Sequence, residues 1–172
     1  MRKFISLSLI GLLIHCFYTN LQAQSSQSEL DQVELMKQFI GTWEAEWGED
    51  TVIWVMTPLE KGYEHIIHRK TKEGTFLYLT GIGGFTDDYK TCLWYFLRPN
   101  GAITRNMGEF LSNKKIKFKR YDHYHKDFFR TYEITLHTPD KLTEIVRWKS
   151  EDGTWDDANV FELTYTRVKN SK

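Results

Sequence analysis

The sequence predicts an antiparallel up-and-down β-barrel of about ten strands, with a short N-terminal helix covering or plugging one end. From Thr42 almost to the end of the chain, apolar and polar residues alternate with period two, as on a wall between a core and water. Turn residues cut this alternation at short intervals that leave no room for crossover helices, so neighbouring strands must run antiparallel. Aromatic side chains make up 15% of the 172 residues, enough apolar area to offset the entropy of ordering the chain. A meander of this length exposes two edges unless its first and last strands pair, which is the reason to expect closure.

Residues 1–23 are expected to be removed before folding. Met1-Arg2-Lys3 is basic, Phe4 to Ile14 is apolar, and Leu21-Gln22-Ala23 offers a small residue ahead of a polar stretch. That order is a secretory signal peptide, and its apolar run is shorter than the ~20 residues a spanning helix needs. Cys16 as a lipid-attachment site is the competing reading, disfavoured by the bulky His15 before it. Nothing later is long and apolar enough to span, so the chain is expected to be secreted or periplasmic. The remainder divides into a segment with a helix over 24–40 and a barrel over 41–169. It carries 21 basic and 23 acidic groups, a net charge of −2, and Cys92 as its one thiol. This balance excludes a general nucleic-acid binder. A single Cys excludes an internal disulfide, and its place in an apolar run reads as a buried small hydrophobe.

Ser28 is the expected helix cap, with Leu30, Val33, Met36 and Phe39 at three-residue steps and Gly41 as the stop. Strands follow at 42–47, 51–57, 63–71, 75–83, 91–97, 102–110, 114–122, 128–137, 141–149 and 159–168. Asn100-Gly101 between apolar runs is the strongest hairpin signal. Ile116 and Phe118 alternate with three lysines, which turns Arg120 inward too. Phe161, Leu163 and Tyr165 share a face with Arg167, and Arg130 shares one with Tyr132, Ile134 and Leu136. Val52 to Met56 is apolar on both faces, so its outer side needs a cover or forms an interaction surface.

The Gly41-Thr42-Trp43 start of the first strand and the Thr164-Tyr165-Thr166-Arg167 end of the last resemble lipocalin-like barrels of the calycin group. With Leu79-Thr80-Gly81-Ile82-Gly83-Gly84-Phe85 and Leu93-Trp94-Tyr95, the chain is most similar to an uncharacterised family of bacterial lipocalin-like domains, over roughly residues 39–168. The resemblance implies that Arg167 packs across Trp43 and seals the barrel base. It is more distantly similar to the nitrobindin family, whose haem iron is held by a His close to the C-terminus. Here His137 is the last His, so no cofactor is expected. The short Gly48-Glu49-Asp50 turn likewise departs from fatty-acid-binding barrels, which insert a helix pair after the first strand.

No nucleophile motif, zinc-protease motif or phosphate-cradling loop is present, and no catalytic residue is assigned. His123 and His125 could hold a metal with a third ligand, but Asp122 to Asp127 reads as a polar turn, and no metal is expected. His65 and His68 have opposite parity, so they cannot converge without a bulge, and at least one should be exposed. Asp152, Asp156 and Asp157 read as a solvated hairpin tip, and the glycine cluster at 81–84 as a bend in the wall. The positive signal is polar groups turned inward among aromatics. Trp54, Tyr78, Trp94, Tyr95, Arg120, Arg130, Tyr132 and Trp148 are the candidate ligand-binding residues, with Glu109, Glu133 or Glu144 as partners for the arginines. The expected function is binding of a small hydrophobic or amphipathic molecule, with an anionic head group as one option. An enzyme using an inward Arg with a carboxylate or His137, and an interaction protein using the outer barrel surface, are the alternatives. A homodimer is compatible with either.

Overall fold

The computed structural model describes residues 30–122, 128–150 and 152–169. The signal-peptide region, Ser28, His123 and His125 lie outside them. A short helix α1 (Gln32–Met36) and a 3-10 turn (Lys37–Phe39) lead into ten strands. These are β1 (Gly41–Trp47), β2 (Asp50–Leu59), β3 (Gly62–Thr71), β4 (Gly74–Phe85), β5 (Cys92–Leu97), β6 (Ile103–Ser112), β7 (Lys115–Asp122), β8 (Phe128–Thr138), β9 (Lys141–Lys149) and β10 (Trp155–Arg167). All ladders are antiparallel between consecutive strands, and β10 returns to β1, so the sheet is a closed barrel without edges. The expected fold class is the observed one.

Closure is set by two residues. Trp43 and Arg167 stand directly opposite across the β1–β10 seam, and the guanidinium lies 4.0 Å from the centre of the indole ring. Arg167 also donates from Nε to Pro139 O (2.8 Å), from Nη2 to Gln38 O (2.7 Å) and from Nη1 to Ile40 O. One cation therefore ties together the last strand, the β8–β9 turn and the exit from the helical turn. The Trp43 ring is fully buried, and its Nε1 donates to Phe39 O at 2.9 Å.

The helix plugs the barrel end rather than covering β2. Asp31, not Ser28, is its cap, accepting from the backbone of Val33 and Glu34 at 3.0 Å each. Five residues cannot hold a helix in water, so docking must supply the stability. Met36 and Phe39 are buried in the plugged end of the barrel. Gln32 Oε1 accepts from the Phe110 backbone N–H at 2.8 Å, Cys92 Sγ lies 3.9 Å from it, and Tyr63 Oη donates to Val33 O at 3.3 Å. Cys92 is buried as expected, and burial pushes its thiol up to about 12. On β2, Val52, Trp54 and Met56 point inward while Ile53 and Val55 stay half-buried outside. The exposed apolar residues gather elsewhere, on the outer face of β4–β6, where Ile82 pairs with Tyr95 and Leu97 with Ile103.

Below mid-height the barrel is filled. Phe118, Ile116, Ile134 and Leu142 are almost wholly buried, and a Cβ on Gly108 would stand 2.4 Å from the Phe118 ring. Glycine is required there because the ring occupies the space a side chain would take.

Candidate functional site

The half of the barrel away from the helix is hollow. A cavity of about 280 Å³ opens at that end, reached past the β1–β2 and β3–β4 turns. Its floor is the aromatic layer that separates it from the filled half. Trp54 and Trp94 lie 6.2 Å apart between ring centres, Trp94 packs tilted at 4.0 Å on Phe118, and Tyr165 meets Trp54 edge-on at 6.0 Å. His65 is locked beneath this layer. Its Nδ1 accepts from Trp54 Nε1 at 3.3 Å, which places the proton of the neutral ring on Nε2, an atom without a partner. The ring sits 4.4 Å from Trp94 and 5.6 Å from Phe96, and burial pushes its pKa down to about 3. Gly83 makes this possible, since a Cβ there would come within 2.9 Å of His65 Nε2 and 2.7 Å of Trp94. His68 pairs with Ile53, has the opposite parity to His65, and is half-buried where it borders the cavity.

Polar groups line one side of the cavity. Arg120 on β7 is 4% exposed, donates from Nε to Asn106 Oδ1 at 2.9 Å, and holds its guanidinium 4.6 Å from the Tyr132 ring. Arg130 on β8 is the direct cross-strand partner of Arg120. It reaches the Tyr132 hydroxyl at 3.4 Å and lies 5.7 Å from the Trp148 ring, and its buried Nε has no acceptor. Glu144 on β9 faces the same space and accepts from Tyr165 Oη at 3.1 Å. Burial raises the Glu144 carboxyl, against the pull of the Tyr165 hydroxyl and of both guanidinium groups. Burial likewise raises the Tyr132 and Tyr165 phenols and lowers the Arg120 guanidinium.

The mouth is aromatic. Trp47 packs on Phe161 at 5.5 Å and meets Tyr78 edge-on at 6.2 Å, and Arg69 lies 4.7 Å over Trp47 while bonding Asp50 at 2.7 Å. Tyr78 gets there through a bulge. Leu79 pairs with Ile67 and Leu77 with His68, so Tyr78 is an extra residue on β4 and leans over the opening.

Of the residues singled out from the sequence, Trp54, Tyr78, Trp94, Arg120, Arg130, Tyr132 and Trp148 all line the cavity. Tyr95 does not. Neighbours on a strand face opposite sides, and with Trp94 inward Tyr95 is 43% exposed on the outer wall. His137 is also outside, bonded to Thr143 Oγ1 at 3.0 Å on an exposed face, so it cannot join an interior cluster. Glu133 is taken by Lys115 at 2.8 Å and Glu109 is exposed, which leaves Glu144 as the interior acid. Trp47, Asn106 and Phe161 were not singled out as ligand contacts. Trp47 shares parity with Trp43, and Phe161 with Leu163 and Tyr165, so strict alternation along β1 and β10 would have found them; Asn106 shares parity with the buried Thr104 and Phe110, an inward face of β6 that the sequence reading did not assign.

This closed, ten-stranded antiparallel barrel fits the lipocalin-like, calycin type. No protein-family model matches the sequence, and no curated protein does. Among solved structures, the chain is similar to Rv2717c from M. tuberculosis, with a TM-score of 0.57 at 9% identity over 81% of this chain and 99% of that one. That likeness is one of fold. A structure of EF1p2_mFAP2b bound to DFHBI aligns with a TM-score of 0.41 at 13% identity, over 81% of this chain and 100% of that one, too slight a likeness to bear on the ligand.

Proposed function

We propose that the chain is an exported binding protein that holds a small hydrophobic or amphipathic molecule with an anionic head group in the open half of its barrel. One observation carries this reading. A cavity walled by aromatic rings has two guanidinium groups, Arg120 and Arg130, turned into it, one of them with a buried, unpartnered Nε. Exposed arginines would be satisfied by water, whereas a buried donor without an acceptor costs free energy until a ligand supplies one. The basic, apolar and small-residue order of residues 1–23 supports export. The Gly-x-Trp start and the terminal Arg support kinship with bacterial lipocalin-like domains.

Native mass spectrometry of the purified protein before and after organic extraction tests this reading. The expected result is a bound mass that extraction removes, together with quenching of tryptophan fluorescence when an aromatic carboxylate is added back. Absence of both would refute it.

A second reading, an enzyme, is favoured by the raised carboxyl of Glu144 beside Tyr165 and the guanidinium pair. It predicts that the extracted molecule returns chemically altered after incubation with fresh protein. A binding protein returns it unchanged.

A further inference from the structure

Three guanidinium groups and one carboxylate reach the cavity wall, those of Arg69, Arg120, Arg130 and Glu144. Arg69 is neutralised at the rim by Asp50, whose Oδ2 lies 2.5 Å from its Nη2. Arg120 and Arg130 are not. They stand opposite each other on neighbouring strands, and their hydrogen bonds go to neutral partners, Asn106 and Tyr132. Among the described residues neither has a carboxylate at ion-pairing distance. Like charges placed this way repel, and in a water-poor interior the repulsion is weakly screened.

The two guanidinium groups favour the charged form of Glu144 against the pull of its burial, and with Glu144 ionised the interior holds two positive charges and one negative. An anion of one charge brings it to neutrality. An anion of two charges overshoots, and places its excess beside the Glu144 carboxylate. Building on the anion-binding reading above, we propose that the cavity selects singly charged, carboxylate-type head groups over doubly charged ones, and that Glu144 is the residue that enforces the choice.

The geometry also orients the ligand. Arg120 and its cross-strand partner Arg130 stand two residues in from the open ends of β7 and β8, and the head group spans the two guanidinium groups, whose forks suit a planar carboxylate. The body then lies against the aromatic rings of Trp47, Tyr78, Trp148 and Phe161. A volume of about 280 Å³ stands at the small end of ligand pockets and suits a body of one or two rings. Glu144 sits on β9 opposite Ile134, four residues along the strand from the Arg130–Trp148 pair; it lines the same cavity and pairs with neither arginine. A repulsive element of this kind sets specificity by penalising the wrong partner.

Calorimetric titration of the purified protein at about pH 8, where a phosphate monoester is doubly charged, tests the proposal with naphthoate, naphthyl phosphate and neutral naphthalenemethanol. Naphthoate should bind at least about tenfold more tightly than naphthyl phosphate. Glu144→Gln should shrink that preference to about threefold or less by admitting the phosphate. Arg130→Gln, which removes positive charge from the head-group position, should widen the preference, and this second variant serves if Glu144→Gln does not fold. A preference for the phosphate in the unaltered protein, a ratio untouched by Glu144→Gln, or a narrowing in Arg130→Gln would overturn the proposal. If none of the three ligands binds, or if the alcohol binds as tightly as naphthoate, the anion-binding reading itself falls and takes this inference with it.

Discussion

The two ends of the barrel use arginine in opposite ways. At the plugged end, Arg167 spends its donors on three backbone carbonyls and lays its face on Trp43. At the open end, Arg130 faces another cation and leaves a buried Nε without an acceptor. The same contrast runs through their surroundings. Gln32, Trp43 and Tyr63 near the plug all have hydrogen-bond partners, whereas the walls above the Trp54–Trp94 layer enclose open space. Evenly satisfied polar groups are what stability alone would produce. A region that sets two cations opposite each other in a cavity carries a cost that a bound anion would offset, which is the division of labour the binding reading predicts.

The sharpest way to break this division is Trp43→Ala. It empties a fully buried site and removes the ring under Arg167, and should cost about 4 kcal/mol of unfolding free energy in a denaturant titration. Naphthoate affinity of the fraction that stays folded should not change. A large loss of affinity with little loss of stability would reverse the roles of the two ends.

The layer between the ends predicts a pH effect. His65 has a pKa of about 3 in the fold against 6.5 for the free side chain, so the unfolded chain takes up its proton first as pH falls. The stability this group contributes is complete above 6.5 and drains as pH drops toward 3, by up to about 1.4 kcal/mol per unit. Glu144, with a raised carboxyl, acts in the opposite sense and softens the slope. Two units below its free value His65 alone should account for about 2.7 kcal/mol. His65→Phe lowers the baseline because Trp54 Nε1 loses its acceptor, so the quantity to compare is the slope of stability against pH between about 6.5 and 4.5. An unchanged slope would show that His65 is not the titrating group.

Much of this was legible in the sequence because a strand has only two faces. Parity alone placed Arg120, Tyr132 and Arg167 inside, and the turn residues placed the strands to within a few positions. The rest either escapes parity or was read against it. The cap moved from Ser28 to Asp31 because a five-residue helix is fixed by docking, through Gln32 and Phe39, rather than by its own pattern. Tyr78 reaches the mouth because of a bulge, which shifts parity without a sequence marker. Tyr95 was misplaced for a simpler reason, since no strand can turn both Trp94 and its neighbour inward. That the upper half is hollow depends on how side chains from ten strands meet, and no single strand records it.

Arg167→Gln and Arg130→Gln form the finest test. Losing the guanidinium at the plug leaves the carbonyls of Gln38, Ile40 and Pro139 short of a charged donor and should cost about 2 kcal/mol, with naphthoate affinity unchanged.

At the open end the signs invert. Arg130→Gln removes a cation held opposite Arg120 and a donor without an acceptor, so stability should hold or rise by up to about 0.5 kcal/mol. Naphthoate affinity should fall about tenfold, because the head group loses one of its two charged contacts. Denaturant midpoints and calorimetric affinities measured on both variants place each on a plane of stability against binding, where the division predicts that each moves along a different axis. If Arg130→Gln destabilises as much as Arg167→Gln and leaves binding alone, then Arg130 is a structural residue, and the two ends of the barrel differ only in how tightly they are packed.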